Sequence, residues 1–174
     1  MKALGVIAAT LLALALQTTL ARFMTRGVFA VDFVLVVVVY MGLSGGAVTG
    51  LLTGTFAGLI QDALTPGAGI IGIGGLAKTV VGYVTGIVGT QFIVARPIPR
   101  FVVFVVATAV HAALFMGTYE LLGVRRFGFP YGGVLSQGAV NGLVGVVAFQ
   151  AIELLPGAVE RRAANRGRLK RRLD

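Results

Sequence analysis

Cysteine and tryptophan are absent from the 174 residues, histidine occurs once, and charged residues make up only 12%. Without cysteine there is no disulfide framework, thiol nucleophile, iron–sulfur cluster or cysteine zinc site, and the redox compartment stays unread. A single histidine, His111, makes poor material for a metal site. The shortage of charge excludes more. A soluble domain has about one quarter charged residues and about one half apolar ones. Here 57% are hydrophobic and the mean hydropathy is +0.94. So little polar surface cannot wet a globule, which argues against a soluble enzyme and a disordered chain. The 26 glycines follow no Gly-X-Y period, which excludes collagen. What remains is an all-α, polytopic membrane protein.

A spanning helix takes about 20 residues, so the length allows about six spans and no sizeable domain outside the membrane. Six apolar segments read as spans: 3–21, 28–43, 46–64, 70–94, 101–122 and 133–155. Backbone groups in lipid must be satisfied within their own segment, which predicts helices despite the many Val and Ile residues. Strict apolar/polar alternation, the mark of a membrane barrel, is missing. The breaks are a polar turn at 22–27, a glycine-rich hairpin at 42–46, a stretch at 62–69 with Pro66, and a loop at 123–132 with Pro130. Between the fourth and fifth spans, Arg96-Pro97-Ile98-Pro99-Arg100 cannot continue a helix, because prolines lack a donor. The predicted organisation is a compact six-helix transmembrane domain over 1–155 and a basic tail over 156–174. Lys2 before an apolar run, and Ala13-Leu14-Ala15, imitate a signal peptide, but the run is long for one and five spans follow. The first span is therefore expected to stay uncleaved.

The net charge of +9 is uneven. The tail holds Arg161, Arg162, Arg166, Arg168, Lys170, Arg171 and Arg172 against Glu160 and Asp174. No aromatic–basic RNA motif or DNA-reading helix accompanies them, so the sequence gives no reason to invoke nucleic acid. Their reading is a membrane-surface tail, since each basic residue near an anionic leaflet is worth about 1 kcal/mol. An even number of spans puts both termini on one side. That side collects Lys2, Arg96, Arg100 and the tail, while the other collects Arg22, Arg26, Arg125 and Arg126. The excess of Lys and Arg places both termini in the cytoplasm, unless the short second segment is re-entrant.

Gly46, Gly50, Gly54 and Gly58 recur every fourth residue along the third span. Small residues at that spacing let another backbone approach closely. Gly82, Gly86 and Gly89 on the fourth span, and Gly138, Gly142 and Gly145 on the sixth, repeat the pattern. Packing inside the protein's own bundle is the favoured reading. The other is docking of a partner's spanning helix, for which the third-span stripe is the first candidate.

An ionisable side chain inside a span is costly and is a functional hypothesis by default. Asp62, Lys78, His111 and Asn141 are the buried polar candidates. Asp32 opens the second span, Gln137 lies in the sixth, and Glu120 closes the fifth. Asp62 and Lys78 sit on adjacent spans joined by a short loop, so an ion pair between them is expected as a clasp, with a substrate site as the other reading. His111 reads as a hydrogen-bonded packing residue. Glu153 is expected to pair with Arg96 or Arg100. No catalytic constellation is present: there is no nucleophile elbow and no usefully spaced carboxylate pair. Gly72-x-Gly74 reads as part of an apolar helix and not as a nucleotide loop.

The stretch Gly50-Leu-Leu-Thr-Gly54-Thr-Phe-Ala-Gly58-Leu-Ile-Gln-Asp62, then Gly69-Ile-Ile-Gly72 and Leu76-Ala-Lys78-Thr-Val-Val-Gly82-Tyr83-Val-Thr-Gly86, resembles the rod shape-determining protein MreD family. The layout agrees over the whole chain, and the motifs over about residues 46–90. The resemblance implies a non-enzymatic, cofactor-free subunit of the bacterial cell-elongation machinery, in the inner membrane. The implied partners are MreC, the actin-like filament protein, and the peptidoglycan synthases (a SEDS glycosyltransferase and its transpeptidase). It implies structural roles for Gly58, Asp62 and Lys78, and a fold similar to the six-helix substrate-binding subunits of energy-coupling vitamin transporters. Two functions follow. One is a scaffold that binds MreC through helix packing. The alternative is a solute-binding transporter subunit, with a pocket containing Asp62, Lys78, Glu120 or Asn141 and an Ala9-x-x-x-Ala13 face for a coupling protein. A proton relay through Asp62, Lys78 and His111 is a weaker third.

Overall fold

The computed structural model describes residues 2–24, 31–65, 70–92, 96–126, 128 and 131–154. Six helices hold nearly all of them: α1 (Lys2–Met24), α2 (Phe33–Gly45), α3 (Ala47–Leu64), α4 (Ile73–Gln91), α5 (Pro97–Leu121) and α6 (Tyr131–Leu154). No strand occurs among the described residues. Helices α3 to α6 are each long and apolar enough to cross a membrane. The tail with Arg161, Arg162, Arg166, Arg168, Lys170, Arg171 and Arg172 lies outside the described residues, as does Arg26.

Helix α2 is the centre of the bundle. Its sequence, Phe-Val-Leu-Val-Val-Val-Val-Tyr-Met, is apolar all round, and such a helix is stable only when covered on every side. Val34 and Val38 pack with Ala13 and Leu14 of α1 and Ala57 of α3. Leu35, Val36 and Val39 pack with Val81 of α4, Phe104 and Ala107 of α5, and Phe149 of α6. The two halves of the core therefore meet on one helix. The outer faces carry Leu12, Leu52, Phe56, Val106, Leu135 and Leu143, all exposed, where a bilayer supplies the apolar solvent.

Among the boundaries that differ from the sequence reading, three have a plain local reason. The break between α2 and α3 is narrower than a five-residue hairpin: helix continues to Gly45, and Gly46 alone turns the chain at φ +89°. Helix α4 begins at Ile73, so Gly72-x-Gly74 straddles its start; Gly72 caps it in the left-handed region, φ +110°, where a side chain would be strained. Pro97 and Pro99 begin α5 and do not merely separate two helices. The first turn of a helix has no use for its N–H groups, so proline costs nothing there.

Candidate functional site

Thirteen residues at a rise of about 1.5 Å make α2 about 20 Å long, well short of a hydrocarbon core of about 30 Å. The start of α2 is enclosed by the bundle, with Val31 and Asp32 each 6% exposed, so its first amides need partners from the protein itself. The polar residues of the other helices gather at that end. Asp32 is the N-cap, and its Oδ1 accepts from Leu35 N at 2.9 Å. Asp32 N donates to Asn141 Oδ1 of α6 at 3.0 Å, and Phe33 N donates to Gln17 Oε1 of α1 at 2.9 Å. Asn141 Nδ2 donates onward to Thr108 Oγ1 of α5 at 3.1 Å, and Thr108 donates to Phe104 O.

The carboxylate that caps α2 is neutralised from α4. Lys78 Nζ lies 2.8 Å from Asp32 Oδ2, with the two side chains 4% and 9% exposed. Lys78 Nζ also meets His111 Nε2 of α5 at 3.1 Å. An ammonium can only donate, so Nε2 is the acceptor and the neutral imidazole carries its proton on Nδ1. The ring stacks on Phe115, which packs against Tyr119. Asp32, Lys78, His111, Asn141, Thr108 and Gln17 thus bind five of the six helices at one level. The arrangement carries no net charge, since one carboxylate faces one ammonium.

Of the sequence candidates, Lys78, His111 and Asn141 come together here, and Asp62 does not. The expected Asp62–Lys78 pair is absent. Asp62 Oδ2 instead accepts from Gly72 N at 2.9 Å and Gly75 N at 3.1 Å, capping α4 with the carboxylate that favours a helix N-terminus. The loop 66–69 that was to hold the pair lies outside the described residues. The partner that sequence spacing missed is Asp32. The available signal was that a lysine at membrane depth requires a carboxylate, and that Asp32 precedes the apolar run of α2 as a cap would.

The third-span stripe packs inside the protein's own bundle, the favoured of its two readings. A Cβ on Gly50 would meet the backbone of Gly82, one on Gly54 the backbone of Lys78 and Thr79, and one on Gly58 the backbone of Gly75. Three of the four glycines offered as a partner's docking face are covered by α4 of the same chain. Gly46 serves the α2–α3 turn, with only Thr90 nearby. On the sixth span, Gly142 and Gly145 accept the rings of Phe101 and Phe104.

At the opposite end of the bundle, Arg100 is buried and forms a two-pronged bond to Glu153, 3.2 Å to Oε2 and 2.6 Å to Oε1. Its guanidinium sits 4.5 Å from the centre of the Phe149 ring. Of the two arginines expected to meet Glu153, this one does. It ties α5 to α6.

Comparison with known families places a match over most of this framework. The family model of rod shape-determining protein MreD matches residues 2–149, which take in the polar cluster and the glycines of α3, α4 and α6. No curated protein and no solved structure matches the chain.

Proposed function

From the chain's membership of the MreD family of rod shape-determining proteins, we propose that it acts as a non-enzymatic scaffold of the cell-elongation machinery. It binds the spanning helix of MreC and positions the SEDS glycosyltransferase and its transpeptidase for peptidoglycan synthesis. It sits in the inner membrane with both termini in the cytoplasm, and the arginines of 161–172 rest on the anionic leaflet. The observation that carries the reading is how the membrane-depth polar groups are used. Asp32, Lys78, His111 and Asn141 are engaged with one another across four helices. That use of side chains ties the helices together, which is what a scaffold needs.

The docking face follows from the same economy. Because α4 covers Gly50, Gly54 and Gly58, MreC meets the lipid-facing surface and not that stripe. Helix packing without a hydrophobic driving force still works there through van der Waals contact and shape. The transporter-subunit alternative is the lesser reading, since Asp62, Lys78 and Asn141 of its pocket are held by protein partners.

The test is photo-crosslinking in cells that also make MreC. A crosslinking residue is placed singly at Leu12, Leu52, Val106 and Leu143, one exposed site on each of four helices. Crosslinks to MreC from one or two adjacent helices support the scaffold and locate the face. A folded protein that crosslinks to MreC from none of them and does not co-purify with it overturns the proposal.

A further inference from the structure

Helix α4 has two unlike faces. Glycines meet α2 and α3, and the backbones close to contact. Toward α5 the face is valine against valine, and branched side chains hold the two helices apart. The result is a groove of about 160 Å³, lined chiefly by Val81, Val84 and Val88 of α4 and Val103, Val106 and Val110 of α5. Val84, Val106 and Val110 are exposed, so the groove opens on the outside of the bundle.

An apolar cavity of about 150 Å³ stays dry and accepts a hydrocarbon guest. At this depth the surroundings are hydrocarbon. A partner's helix is about 10 Å or more across and cannot enter such a space, whereas a single chain of methylenes can.

One end of the groove leads to the turn between α4 and α5. Helix α4 ends there at Gln91, and Arg96 caps α5. Val103 lies seven residues beyond Arg96, the N-cap of α5, roughly 10 Å along the axis. Arg96 is exposed and has no ion-pair partner among the described residues. Its neighbour Arg100 is already held by Glu153 and Phe149. Pro97 and Pro99 bring no N–H to that helix end, so an anion arriving there is met by the Arg96 guanidinium and not by a row of amides.

We propose that the α4–α5 groove holds one acyl chain of an anionic phospholipid whose phosphate rests on Arg96. The lipid belongs to the leaflet on the side of the α4–α5 turn. It fills the one seam where α4 is not closed by glycine contacts.

The experiment is native mass spectrometry of the full chain, extracted in mild detergent and offered phosphatidylglycerol and phosphatidylethanolamine in equal amounts. Wild type is expected to retain one phosphatidylglycerol. Val106→Phe, which puts a ring into the groove from its lipid-facing side, is expected to lose it. Arg96→Gln is expected to keep a lipid but lose roughly fivefold in preference for the anionic one, the worth of one basic residue at a leaflet. Val84→Phe repeats the test from the α4 wall in case the first variant misfolds, and thermal unfolding reports folding of each. Absence of retained lipid in wild type, or equal retention by a folded groove-filled variant, overturns the proposal. So does an unchanged preference in Arg96→Gln. Loss of MreC co-purification with lipid retention unaltered makes the groove a protein-docking face and also overturns it.

Discussion

Gly50 of α3 and Gly82 of α4 are each other's wall: a Cβ on either would run into the carbonyl oxygen of the other. The contact is backbone on backbone, so no rotamer change can relieve an added methyl group. Gly50→Ala is therefore expected to destabilise by about 1–3 kcal/mol or more, although alanine is the better helix former. Gly117 of α5, with nothing within 4 Å of its would-be Cβ, is the control. Gly117→Ala should gain up to about 1 kcal/mol from helix propensity alone. Thermal unfolding in detergent measures both, and equal effects of the two substitutions would contradict the close approach.

Lys78 and Asp32 form a pair that is costly to break from one side. Lys78→Met strands the Asp32 carboxylate at a level without water, and Asp32→Asn strands the ammonium. Each is expected to cost about 3–5 kcal/mol. The double variant removes both charges and should cost clearly less than the sum. The readout is a double-mutant cycle by unfolding in mixed micelles. Strict additivity would mean that the two charges do not share an environment.

The sequence made the class and the helix count legible because they rest on composition and run length. Six apolar runs of Val, Leu, Ile and Ala leave few other solutions in lipid. The packing of α3 on α4 was legible in part: the glycine period announced close contact, but period alone does not say whether the opposing backbone belongs to the same chain. The polar cluster was half legible. Lys78, His111 and Asn141 stand out because they are polar in apolar runs. Asp32 was visible only as the start of a segment, and pairing it with Lys78 required knowing that α2 and α4 run side by side in the same direction. Sequence proximity favoured Asp62, which the backbone amides of Gly72 and Gly75 had already claimed. The start of α5 was misjudged for a general reason: proline stops a helix in its interior and begins one in its first turn.

Asp62 gives a prediction that separates capping from ion pairing. Asp62→Ala removes the acceptor for Gly72 N and Gly75 N and should cost about 1–2 kcal/mol, the worth of an N-cap. Asp62→Asn keeps an oxygen and should cost less. Because Asp62 and Lys78 share no partner, Asp62→Ala and Lys78→Met should add to within about 0.5 kcal/mol. A coupling of several times that size would restore the pair that sequence spacing suggested.

Arg100 and Glu153 test how much a cation buried against an aromatic ring contributes at the bundle's other end. Glu153 is about one third exposed, so water remains near one partner, and the pair is worth less than Lys78 with Asp32. The fork geometry and the Phe149 ring beneath the guanidinium work the other way, since both favour arginine over any other cation. Arg100→Lys keeps the charge but loses the fork and most of the ring contact. It is therefore expected to lose more than half of the stability lost in Arg100→Met. The Arg100/Glu153 cycle should give a coupling of about 0.5–3 kcal/mol. If Arg100→Lys instead retains full stability, charge alone holds α5 to α6, and the planar geometry at Phe149 contributes nothing that an unfolding experiment can detect.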